Sequence, residues 1–355
     1  MSKLRPILAV TLASLLAPTA AMATTTRTTD PVGFMRYTVT SGLQTIGFPL
    51  VNAPVFSGVV TAVDAATIFA QADVGGTNIA RRLDATTPYY LEFTAGQNGD
   101  DTLVGDRLEV DVAGTMDPTS AATSVRIAGN SRNNTLHSLT ANLTGYHFVI
   151  RPHVTLGSAL GTGTAARLQA GVNAATADQV YLLENGSFQT YLLQANAGSG
   201  TRHWVKFPEG TPADDHAIAP GTGLFLRRVA SSDATLIHFG TVRTNAFIQP
   251  LAVGYSLVSE AYPVDATFAS RGMTDTNGFA AGSTVDQADR VYLWTGSGYR
   301  TMFYGVTAGA APTWRSTDAT SQSTVNESGD PFSPFRAVLV EKLASDENYI
   351  IPNPL

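Results

Sequence analysis

The sequence predicts an all-β protein of tandem sandwich-like or barrel-like modules with little helix, and three observations carry that expectation. The first is an internal repeat. Asp178 to Leu193 returns without a gap as Asp289 to Tyr304, with Asp178, Val180, Tyr181, Leu182, Phe188 and Thr190 falling on Asp289, Val291, Tyr292, Leu293, Tyr299 and Thr301, always 111 positions later. The second is the rhythm of the chain: short β-branched and aromatic runs separated by Gly, Asn, Ser and Pro. The third is the scarcity of any window in which an apolar period of 3.6 residues builds up before a breaker interrupts it.

Each copy of the repeat has two apolar runs around a break, Asn185-Gly186 in one and Gly296-Ser297-Gly298 in the other, and so reads as a β-hairpin. Further strands are expected over Phe34–Val39, Thr45–Val51, Tyr89–Thr94, Arg107–Val112, Ser124–Ala128, His147–Arg151, Leu224–Val229, Thr235–Phe239, Tyr255–Val258 and Ala337–Glu341. Only Ala65–Ala72 and Thr164–Ala170 are tolerable as short helices.

The repeat extends beyond its hairpin. Gly145-Tyr146 recurs as Gly254-Tyr255, Trp204 as Trp314, and the Pro-led strand from Pro220 as the one from Pro334. Gly42, Leu43, Ile46 and Phe56 also match Gly254, Tyr255, Val258 and Phe268, at an offset of 212. The expected division is a leader over 1–23, a divergent β module over 24–144, and two duplicated modules over 145–248 and 249–355.

The leader reads as a secretory signal peptide. Lys3 and Arg5 precede an apolar run from Ile7 to Leu16, and Ala21-Met22-Ala23 is a small-x-small cleavage site. Such a run is too short to span a bilayer, and no later one is long enough, so no transmembrane segment is expected after cleavage. The chain has 22 Lys and Arg against 28 Asp and Glu, and loss of Lys3 and Arg5 brings the net charge to about −8. That balance disfavours nucleic acid and anionic membranes as partners. With no cysteine there is neither a disulfide nor a thiolate metal site, so burial and β ladders must supply the stability. The expected location is extracellular or at the cell surface, with the periplasm also compatible. An outer-membrane barrel fits the leader and the many strands, but Pro352, Pro354 and a terminal Leu355 suit a closing barrel strand badly.

TTDPVGF at Thr28–Phe34, PYYLEFTAG at Pro88–Gly96, FVIRPHVTLGS at Phe148–Ser158, DQVYLL at Asp178–Leu183, PGTGLFLRR at Pro220–Arg228 and GYSLVS at Gly254–Ser259 together resemble an uncharacterised family of secreted proteins best known from verrucomicrobial genomes. The resemblance implies an exported β-rich repeat protein and carries no catalytic residues. The last module departs from the pattern, with Ala337-Val338-Leu339 in place of the glycine-led strand.

Candidate chemistry is sparse. Pairing of Trp294 with Tyr299 would crowd Tyr292, Trp294, Tyr299 and Phe303 on one face, a platform on which sugar rings could stack; the equivalent Tyr181, Leu183, Phe188 and Leu192 look like core. Tyr292, Trp294, Tyr299 and Trp314 are the candidate ligand residues. Gln97 to Asp106 resembles one turn of a calcium-binding Gly/Asp nonapeptide, with Asp100, Asp101 and Asp106 as oxygen donors; as a single copy it also reads as an exposed turn. Asp214-Asp215-His216 lies in a Pro-bounded loop with no partner identifiable in the sequence, and His147 and His153 read as ordinary sheet residues. Gly161 to Ala166 copies a dinucleotide fingerprint without its βαβ setting, and no nucleophile elbow, zinc helix or phosphate loop occurs. The expectation is a non-enzymatic surface or extracellular protein that binds other surface proteins or assembles, with a carbohydrate-binding or carbohydrate-active protein using exposed aromatics as the second reading.

Overall fold

The computed structural model describes residues 31–64, 66–73, 78–97, 99–129, 143–163, 167–196, 200–317, 332–345 and 347–355. The leader expected over 1–23 lies outside them, as do Thr28 to Asp30 of the opening motif. Two strands come first, β1 (Val32–Val39) and β2 (Gly42–Ile46). A group of six follows: β3 (Phe56–Asp64), β4 (Thr67–Ala72), β5 (Tyr89–Ala95), β6 (Arg107–Glu109), β7 (Ser124–Arg126) and β8 (His147–Pro152). Next come β9 (Val154–Thr155), β10 (Gln179–Glu184), β11 (Ser187–Ala195), β12 (Arg202–Phe207), β13 (Thr211–Pro212), β14 (Ala217–Ile218), β15 (Leu224–Arg228) and β16 (Ala234–Thr241). The last group is β17 (Phe247–Leu251), β18 (Gly254–Ser259), β19 (Arg290–Trp294), β20 (Tyr299–Gly305), β21 (Thr313–Ser316), β22 (Ala337–Lys342) and β23 (Glu347–Ile351). The fold is all-β, and among the described residues the α-helices are two of five residues each, α1 (Val112–Met116) and α2 (Leu156–Leu160).

Both repeated segments are hairpins. Glu184 pairs with Ser187, so the first turns through Asn185-Gly186 alone, with φ of 49° and 75°; the left-handed values at both positions are what a two-residue turn of type I′ needs. In the second, Trp294 faces Tyr299 as the aromatic pairing required. Of the helix expected over Ala65–Ala72, Ala65 lies outside the described residues and Thr67–Ala72 is β4, with Ile68 and Ala70 buried on one face, because period-2 burial against the neighbouring strands outweighs local helix propensity. Of Thr164–Ala170, residues 164–166 are outside the described set and 167–170 carry no helix. The strand expected over Arg107–Val112 stops at Glu109, because Asp111 accepts the backbone N–H of Gly114 at 2.9 Å and caps α1.

Two sheets share one plan. β2-β15-β10-β11-β12-β13 and β18-β22-β19-β20-β21 have the same strand order apart from the short edge strand β13, and each is accompanied by a two-stranded ribbon, β1-β16 and β17-β23. The correspondence reaches single atoms. Asp178, which opens the first hairpin, accepts the backbone N–H groups of Gln169 and Val229, each at 2.8 Å, and Arg228 Nη1 at 2.9 Å. Asp289 accepts those of Ala280 at 2.8 Å and Leu343 at 2.9 Å, and Lys342 Nζ. Trp204 donates its indole N–H to Gly161 and Trp314 donates to Met273.

Strand pairing runs across the boundaries expected at 144 and 248. The strand beginning near Gly145 is β8, which pairs with β3 and β5 in the sheet β6-β5-β8-β3-β4-β7. The topological counterpart of β18 is instead β2, the strand at the offset of 212, and β1 and β2 pack with β9–β16 in a single core built around Trp204. The described residues between Phe56 and Pro152 therefore form a module of their own, with a core around Tyr146, Phe93 and Phe148, between two parts of the central module. β17–β23 enclose a third core, around Phe279, Trp314 and Tyr349.

A buried ionic junction fastens the three. Glu92 on β5 accepts Arg243 Nε at 2.7 Å, from the link between β16 and β17, and lies 3.7 Å from Arg151 Nε on β8. Arg151 also donates to the Asn52 carbonyl at 2.9 Å and Thr241 Oγ1 at 3.1 Å. Arg107 and Arg243 both lie against the ring of Phe247, 3.9 and 4.4 Å from its centroid. Burial opposes ionisation of Glu92, but the charges of Arg243 and Arg151 prevail and hold its carboxyl below the ordinary range. Arg107, desolvated and near Arg243, is lowered to about 10.

Candidate functional site

The central and C-terminal modules meet across the outer faces of their main sheets, and the contact is two-fold in pattern. The segment before β15 lies on the free edge of β18: Gly223 N–H donates to Leu257 O at 2.9 Å and Ser259 N–H to Gly221 O at 2.8 Å. The segment before β22 lies in the same way on β2, with Gly47 N–H donating to Phe335 O at 3.2 Å. Between them Phe225, Leu257 and Ala337 are buried, with Leu43, Tyr181, Leu183, Trp294 and Leu339 packed around them. The approach is close enough to require glycine at 223, where an added Cβ would stand 2.0 Å from that of Ala337.

At one end of this interface the sheets part into a groove of about 480 Å³. One wall is the β1–β2 corner, residues 36–46; the other is the tip of the β19–β20 hairpin, Trp294 to Gly296, with Ser333, Phe335 and Arg336. Hydrophobic packing positions the wall. The Tyr37 ring stands edge-on to Phe335 at 4.8 Å, and its hydroxyl donates to Gly47 O at 2.7 Å. Burial raises the Tyr37 phenol well above its ordinary value, so it is a neutral hydroxyl at any physiological pH. Trp294 donates its indole N–H to Leu43 O at 2.8 Å, which fixes the ring at the groove while leaving it partly exposed.

Trp294 also belongs to a row of aromatic rings, with Phe225 edge-on to it at 6.2 Å on one side. Tyr299 stands across it at 5.1 Å, Tyr292 lies 6.1 Å from Tyr299, and Tyr255 lies 6.1 Å from Tyr292. Tyr255 and Tyr299 are exposed. Tyr292 donates to Glu341 at 2.5 Å, and burial followed by that carboxylate raises its phenol.

Of the residues read from the sequence as ligand-binding, Tyr292, Trp294 and Tyr299 are thus gathered on one face. Trp314 is not with them: it is buried, stacked on Phe268 at 4.4 Å, and serves the C-terminal core. Phe303 is likewise buried rather than part of a platform. Asp100, Asp101 and Asp106 are each turned to local bonds, to Thr102, to Gly96 N–H and to Arg107 N–H respectively. Among the described residues no three acidic or histidine side chains are grouped to hold a metal ion.

Two histidines have partners that no sequence spacing announced. His216 Nε2 lies 2.7 Å from Glu184 and 3.0 Å from the Tyr191 hydroxyl, both on the β10–β11 hairpin, while the neighbouring Asp214 accepts Trp204 N–H at 2.7 Å. His153 is buried 2.8 Å from Glu109. Groove residues on β1–β2 were missed because their wall is completed by a hairpin some 250 positions away; the signal that pointed there was the unequal match of Leu183 to Trp294.

The groove wall carries hydroxyl and amide groups from Thr38, Thr40, Ser41, Gln44 and Thr295, the Trp294 indole and two guanidinium groups, and among the described lining residues no carboxylate or imidazole. Such a lining can stack a ring and hydrogen-bond its hydroxyls. No family model, curated protein or solved structure matches this chain.

Proposed function

We propose that the protein is an exported, non-enzymatic β-repeat protein, two of whose modules derive from a duplication, and that it binds a polysaccharide segment in the groove between them. The observation that carries this reading is Trp294, anchored through its indole N–H at the mouth of a groove rich in hydroxyl groups and joined to an exposed row of tyrosines. An aromatic face suits the axial C–H groups of a pyranose, and the short polar side chains opposite suit its hydroxyls.

A peptide added as a strand is the natural competitor, since β2 is an edge strand. Its free edge is already used near both ends, however, by the Trp294 indole on Leu43 O and by the Phe335 carbonyl on Gly47 N–H. This supports a saccharide over an extended peptide. The leader-like start supports an exported setting.

Affinity electrophoresis of the mature protein through gels containing a panel of soluble polysaccharides tests the proposal. At least one polysaccharide should retard the wild type, and Trp294→Ala should restore free migration. Unretarded migration across the panel would refute the reading.

A further inference from the structure

The groove has a charge character unlike the rest of the chain. The mature protein is acidic by about eight charges. The groove wall nevertheless bears Arg36 from β1 and Arg336 from the segment before β22, and among the described residues that line it there is no Asp or Glu. Both arginines are exposed, and neither has an ion-pair partner among the described residues. Elsewhere Arg228 is spent on Asp178, Arg243 on Glu92 and Arg290 on Glu341, while Arg202, Arg227 and Arg315 donate to carbonyl or hydroxyl oxygens. Two modules supply one cation each to the same groove. A guanidinium presents donors in a planar fork that fits carboxylate and sulfate oxygens, and it is charged at every relevant pH.

Resting on the polysaccharide reading above, we infer that the groove is selective for an acidic saccharide, one whose sugar rings bear carboxylate or sulfate groups. A ring stacked on Trp294 would have its neighbours in the same groove that Arg36 and Arg336 line. The net negative charge of the protein as a whole would repel such a chain, so the groove cations and the indole together favour binding there. Binding at exposed arginines is screened by salt, and a neutral chain of the same length would lose those contacts altogether.

The test is a titration of the full mature chain with three oligosaccharides of equal length, one uronate-based, one sulfated and neutral in its remaining groups, and one neutral. The uronate or the sulfated oligosaccharide should bind at least about tenfold more tightly than the neutral one, and whichever binds tighter identifies the anionic group recognised. Raising salt from 50 to 200 mM should weaken acidic binding several-fold and leave neutral binding almost unchanged. Arg36→Gln and Arg336→Gln should each lower affinity for the acidic chain about five- to tenfold. Because both side chains are exposed, their thermal stability should match the wild type. Equal affinity for neutral and acidic chains, or wild-type affinity in both variants, would overturn the inference while leaving polysaccharide binding intact. Failure of all three chains to bind would instead overturn the reading on which it rests.

Discussion

Replacing Glu92 by Gln removes the carboxylate on which the three-module junction turns. Arg107, Arg151 and Arg243 are all at least nine-tenths buried around it, so the variant keeps the shape and leaves three guanidinium groups without that charge. Breaking a buried ion pair from one side costs about 3–5 kcal/mol. Spread over one cooperative unit the length of the 355-residue chain, that is roughly 4–7 °C in Tm; confined to a module of about 100 residues it is some 12–25 °C. Urea unfolding followed by near-ultraviolet circular dichroism, with a thermal scan, measures both. Because the arginine charges hold the carboxyl below its ordinary value of 4.5, the wild-type advantage is complete above that pH and fades as pH falls through the lower folded value. Asp286→Asn, which touches the exposed ion pair with Arg290, is the control and should change nothing measurable. A loss under about 1 kcal/mol in Glu92→Gln at pH 7 would refute the claim that this junction holds the modules together.

Other expectations follow from the same contacts. Asp178→Ala and Asp289→Ala each strand two backbone N–H groups and a buried cation, and each should cost about 3 kcal/mol or more by denaturant titration. Gly223→Ala should lose about 1–3 kcal/mol by driving a methyl group into Ala337, and Ala337→Gly in the same chain should restore much of it. Glu260 is pushed up to about 7 by burial, against the pull of Arg271. Its protonated form is the one the fold favours, so this contribution is whole below pH 4.5 and is lost as pH rises to about 7; Glu260→Gln should remove a slope worth about 3 kcal/mol across that window.

The fold class and the hairpins were legible because they are local: alternating apolar residues, Asn185-Gly186, and a repeat held at one offset. What misled was the Gly-Tyr pair at 145. It opens a strand as Gly254-Tyr255 does, yet β8 is a central strand of another sheet, whereas β2 completes its own by pairing with β15 some 180 positions later. Sequence proximity carries no trace of such a closure. Trp204 and Trp314 recur because both are core, and Asp178 and Asp289 recur because both cap the same turn of chain, so recurrence marked architecture. The face of interest lay where the copies differ, at Leu183 and Trp294. His216 could not be matched with Glu184 and Tyr191 because an extended loop in the sequence says nothing of which hairpin it crosses.

Intrinsic fluorescence bears most directly on the groove. Trp204 and Trp314 are buried in separate cores, and Trp294 alone lines the groove, so only one of the three indoles can report on its occupant. Titrating an acidic oligosaccharide into the wild type should change emission in a saturable way, and Trp294→Phe should abolish the change while leaving the unfolding midpoint near its original value. An unchanged spectrum in the wild type, or a full response that survives in Trp294→Phe, would contradict the account.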